Sequence, residues 1–315
     1  MHPVLLYTGP ADSVGALERA VGQAFQVRRT EPERDALAAG LREATAFIDA
    51  SMKVRVDRSM IAAAPLLAVV STATTGADHI DKAALAERGI PLLTLAGQRD
   101  FLRQLTPAAE HSWLLLMACA RQLRAATDHV CHGGWNRTDF PGVMLKGRTL
   151  GIVGCGRIGQ CMARYASAFD MTVVGYDPFV DPWPTGIERR ELVDVVAVAD
   201  FVSVHVPLSD ETRGLVGREV FARMKPGCIF VNTSRGDVSD EAALLDALET
   251  GRVRAAGLDV LMGEPDVERH PLRLYAETHA NLVITPHIGG FSPDAVDLAV
   301  AFAARRAADA VGGRS

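Results

Sequence analysis

The chain lacks most of the features that mark secreted and metal-binding proteins. Its 315 residues include five cysteines, an odd number, and none of them forms a Cys-x-x-Cys pair. We therefore expect buried thiols in a reducing compartment, and a cytoplasmic location. The nine histidines offer only loose pairs such as His129 and His132, so no metal site is expected.

Charge and hydropathy exclude two further classes of protein. The formal net charge of -5 leaves no basic excess to neutralise a phosphate backbone, and we expect no nucleic-acid partner. The longest apolar runs, such as residues 61–70, reach about half of the roughly 20 residues that cross a bilayer. Met1-His2-Pro3 does not open a signal peptide, and no membrane association is expected.

Short β-rich runs alternate with helix-length segments along the chain. Strands are predicted at residues 4–8, 46–50, 67–73, 91–95, 149–153, 172–176, 201–206, 228–233, 255–260 and 282–285. Alternation of this kind predicts an α/β fold with parallel sheets and crossover helices. The last six strands suit a complete, doubly wound dinucleotide-binding sheet.

Two helices suggest how the domains are arranged. An apolar helix is predicted over residues 107–123, with Thr106 as its cap and Pro107 in its first turn, and it favours a homodimer. Residues 293–310 form a last helix with no strand after it, which would return to the first domain. We expect a discontinuous substrate domain, residues 1–99 with 291–315, and a Rossmann domain over residues 100–290.

The strongest single motif is Gly154-x-Gly156-x-x-Gly159, which directly follows the predicted strand 149–153 and opens a helix. The first glycine permits a tight turn, the second lets a pyrophosphate approach the backbone, and the third lets helix and strand pack closely. In this context the motif predicts a dinucleotide site. Arg157 and Ile158, within the motif, are predicted to contact the cofactor.

Asp177 ends the next predicted strand, 18 residues beyond Gly159. A carboxylate at this point accepts hydrogen bonds from ribose hydroxyls and repels a 2′-phosphate, which favours NAD over NADP. The alternative is that Asp177 only forms a turn with Pro178.

Arg235, Glu264 and His287 each follow an apolar strand-like run downstream of the glycine motif. A guanidinium grips a carboxylate through two parallel hydrogen bonds, and an imidazolium donates a proton near neutral pH. A neighbouring carboxylate stabilises the imidazolium and fixes its tautomer. The alternatives are structural: Arg235 pairs with Asp237, Glu264 forms a loop salt bridge, and His287 satisfies loop carbonyls.

Together these motifs resemble the D-isomer-specific 2-hydroxyacid dehydrogenases. The segments that carry the resemblance are residues 149–159, His205-Val-Pro-Leu208, Met224-Lys-Pro-Gly227, Val231-Asn-Thr-Ser-Arg-Gly-Asp237, Ala256-Gly-Leu-Asp-Val260, Glu264-Pro265 and Thr285-Pro-His-Ile-Gly289. The resemblance implies a Rossmann-like and a flavodoxin-like domain, NAD as cofactor, and reduction of a small 2-keto acid or oxidation of a D-2-hydroxy acid.

The resemblance also implies residue roles. Arg235 would bind the substrate, His287 would be the acid/base and Glu264 its partner. Cofactor contacts are implied at Asp177, Thr233 and Asp259, and His205 lies in a matching motif and is predicted to join them.

On the substrate side, Thr74, Thr75 and Gly76 resemble the family's carboxylate-binding loop; an ordinary strand-to-helix turn is the alternative. Residues 95–105 depart from the family pattern, which leaves the choice of substrate open. We expect a phosphoglycerate dehydrogenase-like chain without an appended regulatory domain.

Two other functions stay open at this point. One is a non-catalytic, NAD(H)-sensing interaction protein of the corepressor type, and the other is formate or phosphonate oxidation on the same scaffold.

Overall fold

A computed structural model describes residues 2–313; Met1, Arg314 and Ser315, which belong to the predicted substrate domain, lie outside the described residues. The chain divides into two compact units. Unit 1 comprises Met1–Leu105 with Phe291–Ser315, and unit 2 comprises Thr106–Gly290. The chain thus returns to its first unit after completing the second.

Strands and helices alternate through both units. The strands are β1 (Val4–Thr8), β2 (Gln26–Arg29), β3 (Ala46–Asp49), β4 (Val69–Thr72), β5 (Leu92–Leu93), β6 (Thr149–Val153), β7 (Thr172–Tyr176), β8 (Glu188–Arg189), β9 (Phe201–Val204), β10 (Cys228–Asn232), β11 (Val253–Leu258) and β12 (Leu282–Ile284). The helices are α1 (Val14–Val21), α2 (Arg34–Leu41), α3 (Arg58–Ala62), α4 (Lys82–Glu87), α5 (Arg99–Leu102), α6 (Pro107–Ala120), α7 (Leu123–Cys131), α8 (Arg157–Ala168), α9 (Leu192–Val198), α10 (Arg218–Arg223), α11 (Glu241–Glu249), α12 (Pro271–Thr278) and α13 (Pro293–Gly312).

Unit 1 is built on a five-stranded sheet with the order β2-β1-β3-β4-β5, in which every pair is parallel. This is the flavodoxin-like order, as the sequence predicts. Because side chains alternate along β1, Leu5 and Tyr7 pack on one face with α1 and α13, while Leu6 packs on the other with α2, α3 and α4.

The unusual segment 95–105 forms α5 and packs on α13. The ring of Phe101 stacks on that of Phe302 with centroids 4.0 Å apart, and Arg306 Nη1 donates a hydrogen bond to Thr94 O over 2.5 Å. Through Phe101, the segment that departs from the family pattern packs on the last helix of unit 1.

Unit 2 contains a seven-stranded parallel sheet with the order β12-β11-β10-β9-β6-β7-β8. It has one strand more than predicted, because the two exposed residues of β8 form a short edge strand. Helices α6 and α8 cover one face, and α9 to α12 cover the other. After β6 the chain continues to β7 on one side of the sheet, and after β9 it continues to β10 on the other side. The pair β6/β9 is therefore the topological switch point at which such sheets bind ligands.

The predicted helix 107–123 is in fact two helices. α6 ends at Ala120 and α7 begins at Leu123, because Gln122 between them adopts a left-handed conformation with φ of 49°. Pro107 stands in the first turn and Thr106 at the N-cap position, as predicted, but the Thr106 side chain makes no capping hydrogen bond to the backbone. Its hydroxyl instead donates to Glu110 Oε1 over 2.5 Å.

Within residues 2–313, no helix combines the length and apolar character needed to cross a membrane. In the same range, no three His, Cys, Asp or Glu side chains come together as metal ligands.

Candidate active site

Two of the three glycines of the phosphate motif, Gly154 and Gly159, are required by their surroundings. Gly154 has φ of 95°, and a Cβ on it would lie 2.7 Å from the carbonyl carbon of His205. A Cβ on Gly159 would lie 2.2 Å from Gly154 O, so α8 packs against the loop without a side chain. A Cβ on Gly156 would meet nothing within 4 Å. The space above Gly156, at the N-terminus of α8, fits the pyrophosphate of a dinucleotide.

Arg157 and Ile158 begin α8 and are both half-buried. Burial lowers the pKa of the Arg157 guanidinium from its usual value. Both residues lie beside the glycine loop, and their contact with the cofactor stays a prediction.

Asp177, after β7, links the glycine loop to the next turn. Its Oδ2 accepts a hydrogen bond from Cys155 N over 2.9 Å, and its Oδ1 accepts bonds from Phe179 N at 2.9 Å and Val180 N at 3.1 Å. The turn that the sequence offered as an alternative is therefore present. Because each carboxylate oxygen has two lone pairs, Asp177 retains acceptor capacity for ribose hydroxyls.

His205 follows β9 next to the glycine loop. Its Nε2 lies 2.8 Å from Ser203 Oγ, and its buried Nδ1 has no hydrogen-bond partner in the part of the chain that the structure describes. Burial lowers the pKa of His205 to about 3, so its imidazole is neutral at pH 7. The predicted cofactor contact of His205 stays a prediction.

Thr233 follows β10, and its hydroxyl is oriented by α6. Ser112 Oγ donates to Ala108 O over 2.6 Å and lies 2.7 Å from Thr233 Oγ1. Since the single hydroxyl proton of Ser112 goes to Ala108, Thr233 donates to Ser112 and keeps its own lone pairs as acceptors.

Arg235 lies in a tight turn that the buried Asn232 holds together. Asn232 Nδ2 donates to Arg235 O over 2.9 Å, and Asn232 Oδ1 accepts from Ser234 N at 3.0 Å. Arg235 Nη1 donates to Ser234 O over 2.7 Å. Asp237 forms an ion pair with Arg213.

The Arg235 turn also packs directly on the loop that carries Glu264. A Cβ on Gly236 would lie 2.2 Å from both Leu261 C and Met262 N. Two of the three predicted catalytic residues are therefore carried by backbone segments in contact with each other.

Glu264 and His287 form the pair that the sequence predicts. His287 Nδ1 lies 2.6 Å from Glu264 Oε1, and about a third of each side chain is exposed. Since an ionised carboxylate only accepts, Nδ1 carries the proton of this hydrogen bond. His287 Nε2 is then the ring nitrogen left to exchange a proton with a bound molecule. The residue has φ of 54°, a left-handed conformation uncommon outside glycine.

Asp259 fixes the segment that carries His287. Asp259 O accepts from His287 N at 3.0 Å, Oδ1 from Thr285 Oγ1 at 2.6 Å and Ile288 N at 2.9 Å, and Oδ2 from Gly289 N at 2.7 Å. Burial alone would raise the pKa of Asp259, but its hydrogen bonds outweigh burial and lower the pKa. Its predicted cofactor contact stays a prediction, and its side chain contacts the His287 loop and His111 of α6.

His111 is a residue of this site that sequence reasoning did not assign. It lies on α6, and its Nε2 is 2.8 Å from Thr285 Oγ1 and 3.3 Å from Asp259 Oδ1. His111 and Thr285 are 174 positions apart in the sequence, so no local pattern signals the contact.

Thr74, Thr75 and Gly76 follow β4 in unit 1. Thr74 Oγ1 donates to Gly76 O over 2.7 Å, and Thr74 O accepts from Leu95 N at 2.9 Å. These bonds define a tight turn, and its binding of a substrate carboxylate stays a prediction.

Comparison with known proteins identifies the family that this chain matches. Residues 113–289 match the model of the D-isomer specific 2-hydroxyacid dehydrogenase NAD binding domain, and residues 4–100 match that of the same family's catalytic domain. A D-3-phosphoglycerate dehydrogenase of Mycobacterium tuberculosis is 42% identical over 284 residues, which cover 89% of this chain and 52% of that protein. The chain thus spans about half the length of the curated relatives that match it first.

Two further relatives are matched over most of their length. A hydroxypyruvate reductase of Thermotoga maritima is 37% identical over 241 residues, covering 76% of each chain. A crystal structure of a Thermus thermophilus protein superposes with a TM-score of 0.86 at 32% identity, covering 98% of this chain and 97% of that one. With both family models matched, the chain belongs to the D-isomer specific 2-hydroxyacid dehydrogenase family, and its residues 113–289 are the family's NAD-binding domain.

Proposed function

We propose that the protein is an NAD-dependent oxidoreductase that interconverts a small 2-keto acid and its D-2-hydroxy acid. The observation that carries the proposal is the His287 and Glu264 pair, with Nδ1 and Oε1 2.6 Å apart, in the same unit as the glycine loop. Reduction of a carbonyl requires a proton donor and a hydride donor, and this unit offers an imidazole for the first and a dinucleotide site for the second.

The roles follow from the side chains. NADH, when bound, supplies the hydride that reduces the keto carbon. His287 gives the proton on Nε2 to the carbonyl oxygen, and Glu264 holds the ring through Nδ1 and stabilises the imidazolium. In the oxidative direction the same nitrogen accepts the hydroxyl proton.

Arg235 is proposed to bind the substrate carboxylate and polarise the adjacent carbonyl. A guanidinium offers two parallel N–H groups to a carboxylate, which an ammonium group does not. Asp177, at the end of β7, is proposed to select NAD over NADP by repelling a 2′-phosphate.

The named relatives support this class of substrate. They include a hydroxypyruvate reductase and a structure described as the pyruvate reductase of Chlamydomonas reinhardtii, 26% identical over the whole chain with a TM-score of 0.83. The D-3-phosphoglycerate dehydrogenase, the hydroxypyruvate reductase and the pyruvate reductase are enzymes by name, and they give the corepressor-like alternative no support.

The test is NADH oxidation by the purified protein with glyoxylate, hydroxypyruvate, pyruvate and branched 2-keto acids, repeated with NADPH. We expect His287→Ala to lower turnover by about 10²- to 10⁴-fold and to leave NADH binding unchanged. His2→Ala, at an exposed position before β1, is the control. Equal turnover in His287→Ala and the wild type would defeat the assignment.

We also propose that the chain forms a homodimer and acts in the cytoplasm. Several large apolar side chains on and after α6 and α7 are exposed, and Trp135 is exposed over 91% of its surface. The others are Leu114, Leu123, Val130 and Met144. Exposed apolar side chains that follow one another closely along the chain support the homodimer proposal.

A further inference from the structure

Unit 2 contains a second buried imidazole and carboxylate pair, formed by Glu241 and His270. Glu241 is the first residue of α11, and His270 immediately precedes α12. Glu241 Oε2 lies 2.8 Å from His270 Nε2, and only 7% of the glutamate side chain and 11% of the histidine side chain are exposed.

The pair fixes the loop of residues 261–270, which connects β11 to α12 and carries Glu264. Glu241 Oε1 accepts a hydrogen bond from Met262 N over 2.9 Å, near the start of this loop, while Oε2 binds His270 at its end. One carboxylate therefore joins both ends of the loop to the start of α11.

The loop needs such an anchor. Leu261 and Val267 pack on the core of unit 2, but the other residues of the loop are mostly exposed, and the backbone hydrogen bonds Asp266 N to Gly263 O and His270 N to Val267 O close only local turns. Exposed residues that are held mainly by local turns have low local stability. Glu264, however, must stay within hydrogen-bond distance of His287.

The burial of Glu241 supports a role for its hydrogen bonds to Met262 and His270 beyond capping α11. A carboxylate is costly to bury unless its oxygens are paired, and a glutamate in the first turn of a helix is ordinarily solvated. Burial raises the pKa of Glu241 despite its bonds to Met262 and His270, and Asp237 adds to the rise. Glu241 is thus an ionisable group whose charge burial opposes, and its hydrogen bonds are to the two ends of this loop.

We propose that Glu241, paired with His270, is a positioning residue for the reaction, because it fixes the 261–270 loop and so the distance between Glu264 and His287. The inference rests on the proposed function. Together with Asp259 and His111, which fix the His287 segment, it gives each loop of the catalytic pair its own anchor.

Three variants test the inference. Glu241→Ala removes both bonds, and Glu241→Gln keeps an acceptor for Met262 N while presenting an amide to His270. The control is Glu249→Ala, an exposed glutamate at the other end of the same helix. For each we would measure kcat and KM for the 2-keto acid, the Kd of NADH, the melting temperature, and deuterium exchange at the Met262 amide.

In Glu241→Ala we expect kcat to fall by about 10- to 100-fold, since misplacing a catalytic group by about 1 Å has an effect of this order. The KM and the Kd of NADH should stay unchanged, and exchange at the Met262 amide should accelerate. Glu241→Gln should restore the protection of Met262 and part of kcat. A purely structural pair would instead lower the melting temperature and leave kcat of the folded fraction intact.

Two results would overturn the inference: an unchanged Met262 exchange rate in Glu241→Ala, or accelerated exchange with wild-type kcat. If the wild type reduces none of the 2-keto acids, the proposed function fails by itself. The exchange data then still decide whether Glu241 fixes the loop.

Discussion

The contact between Gly236 and the 261–270 loop allows a quantitative test of how the site is held. In Gly236→Ala, the new Cβ would lie 2.2 Å from Leu261 C and Met262 N, where ordinary contact begins at 3.4 Å. The two backbone segments must therefore separate by about 1.2 Å. The φ of Gly236 is outside the left-handed region, so alanine suits the backbone and the effect is steric alone.

Both stability and catalysis should respond to this separation. Overpacking of a close contact costs about 1–3 kcal/mol of unfolding free energy. Because Arg235 precedes Gly236 and Glu264 lies in the displaced loop, the catalytic geometry shifts as well. A misplacement of about 1 Å lowers kcat/KM by about 10²-fold. NADH binding should change less than kcat/KM, since the glycine loop is not displaced.

Urea unfolding gives the stability, and NADH oxidation under conditions where the variant is fully folded gives kcat/KM. Gly15→Ala in α1 is the matched control, because its Cβ meets only the flexible end of Arg19 at 3.2 Å. Alanine in that helix should leave stability equal or raise it by up to about 1 kcal/mol. Wild-type kcat/KM in a destabilised Gly236→Ala would refute the coupling of the two segments.

Two further predictions concern Asp259 and the assembly. Asp259 has a lowered pKa, so its contribution to stability is present above the unfolded value of about 3.9 and is lost as pH falls through the lower folded value. In urea unfolding at pH 7, Asp259→Asn should lower the free energy of unfolding by about 1–3 kcal/mol, because an amide NH₂ group then faces backbone N–H donors. The difference in unfolding free energy between this variant and the wild type should shrink towards pH 3. A difference that stays constant with pH would contradict this reasoning. Light scattering should give twice the chain mass of 33.7 kDa for the wild type and the single mass for a Leu123→Glu, Trp135→Glu variant. A single mass for the wild type would exclude the homodimer.

The sequence predicts the strands around the glycine motif well, because apolar runs there are separated by clear turn residues. It misses β2, because Gln26–Arg29 is mostly polar and every second residue is exposed, so the strand has no apolar run. It misses β8 because Glu188–Arg189 is only two residues long. It also extends α6 through Gln122, whose left-handed φ of 49° has no glycine to signal it.

Within the site, local patterns point to the residues but not to their supports. Glu264 and His287 are predicted as partners, and the structure brings them within 2.6 Å. Glu241 looks like any acidic residue in the first turn of a helix, where it complements the helix dipole. Its buried carboxylate is bonded to Met262 and His270, which are 21 and 29 positions away and are brought close only by the tertiary structure.

The return of α13 to unit 1 bears on how the chain folds during synthesis. Val296, Val300, Ala303, Ala304 and Ala307 of α13 belong to the same buried cluster as Leu5 and Tyr7 of β1. Unit 2 is continuous, so all its strands are available once residue 290 has been synthesised. Domains ordinarily fold in the order of their synthesis. The core of unit 1 therefore cannot be completed before α13 has been synthesised, whereas unit 2 needs no residue beyond 290.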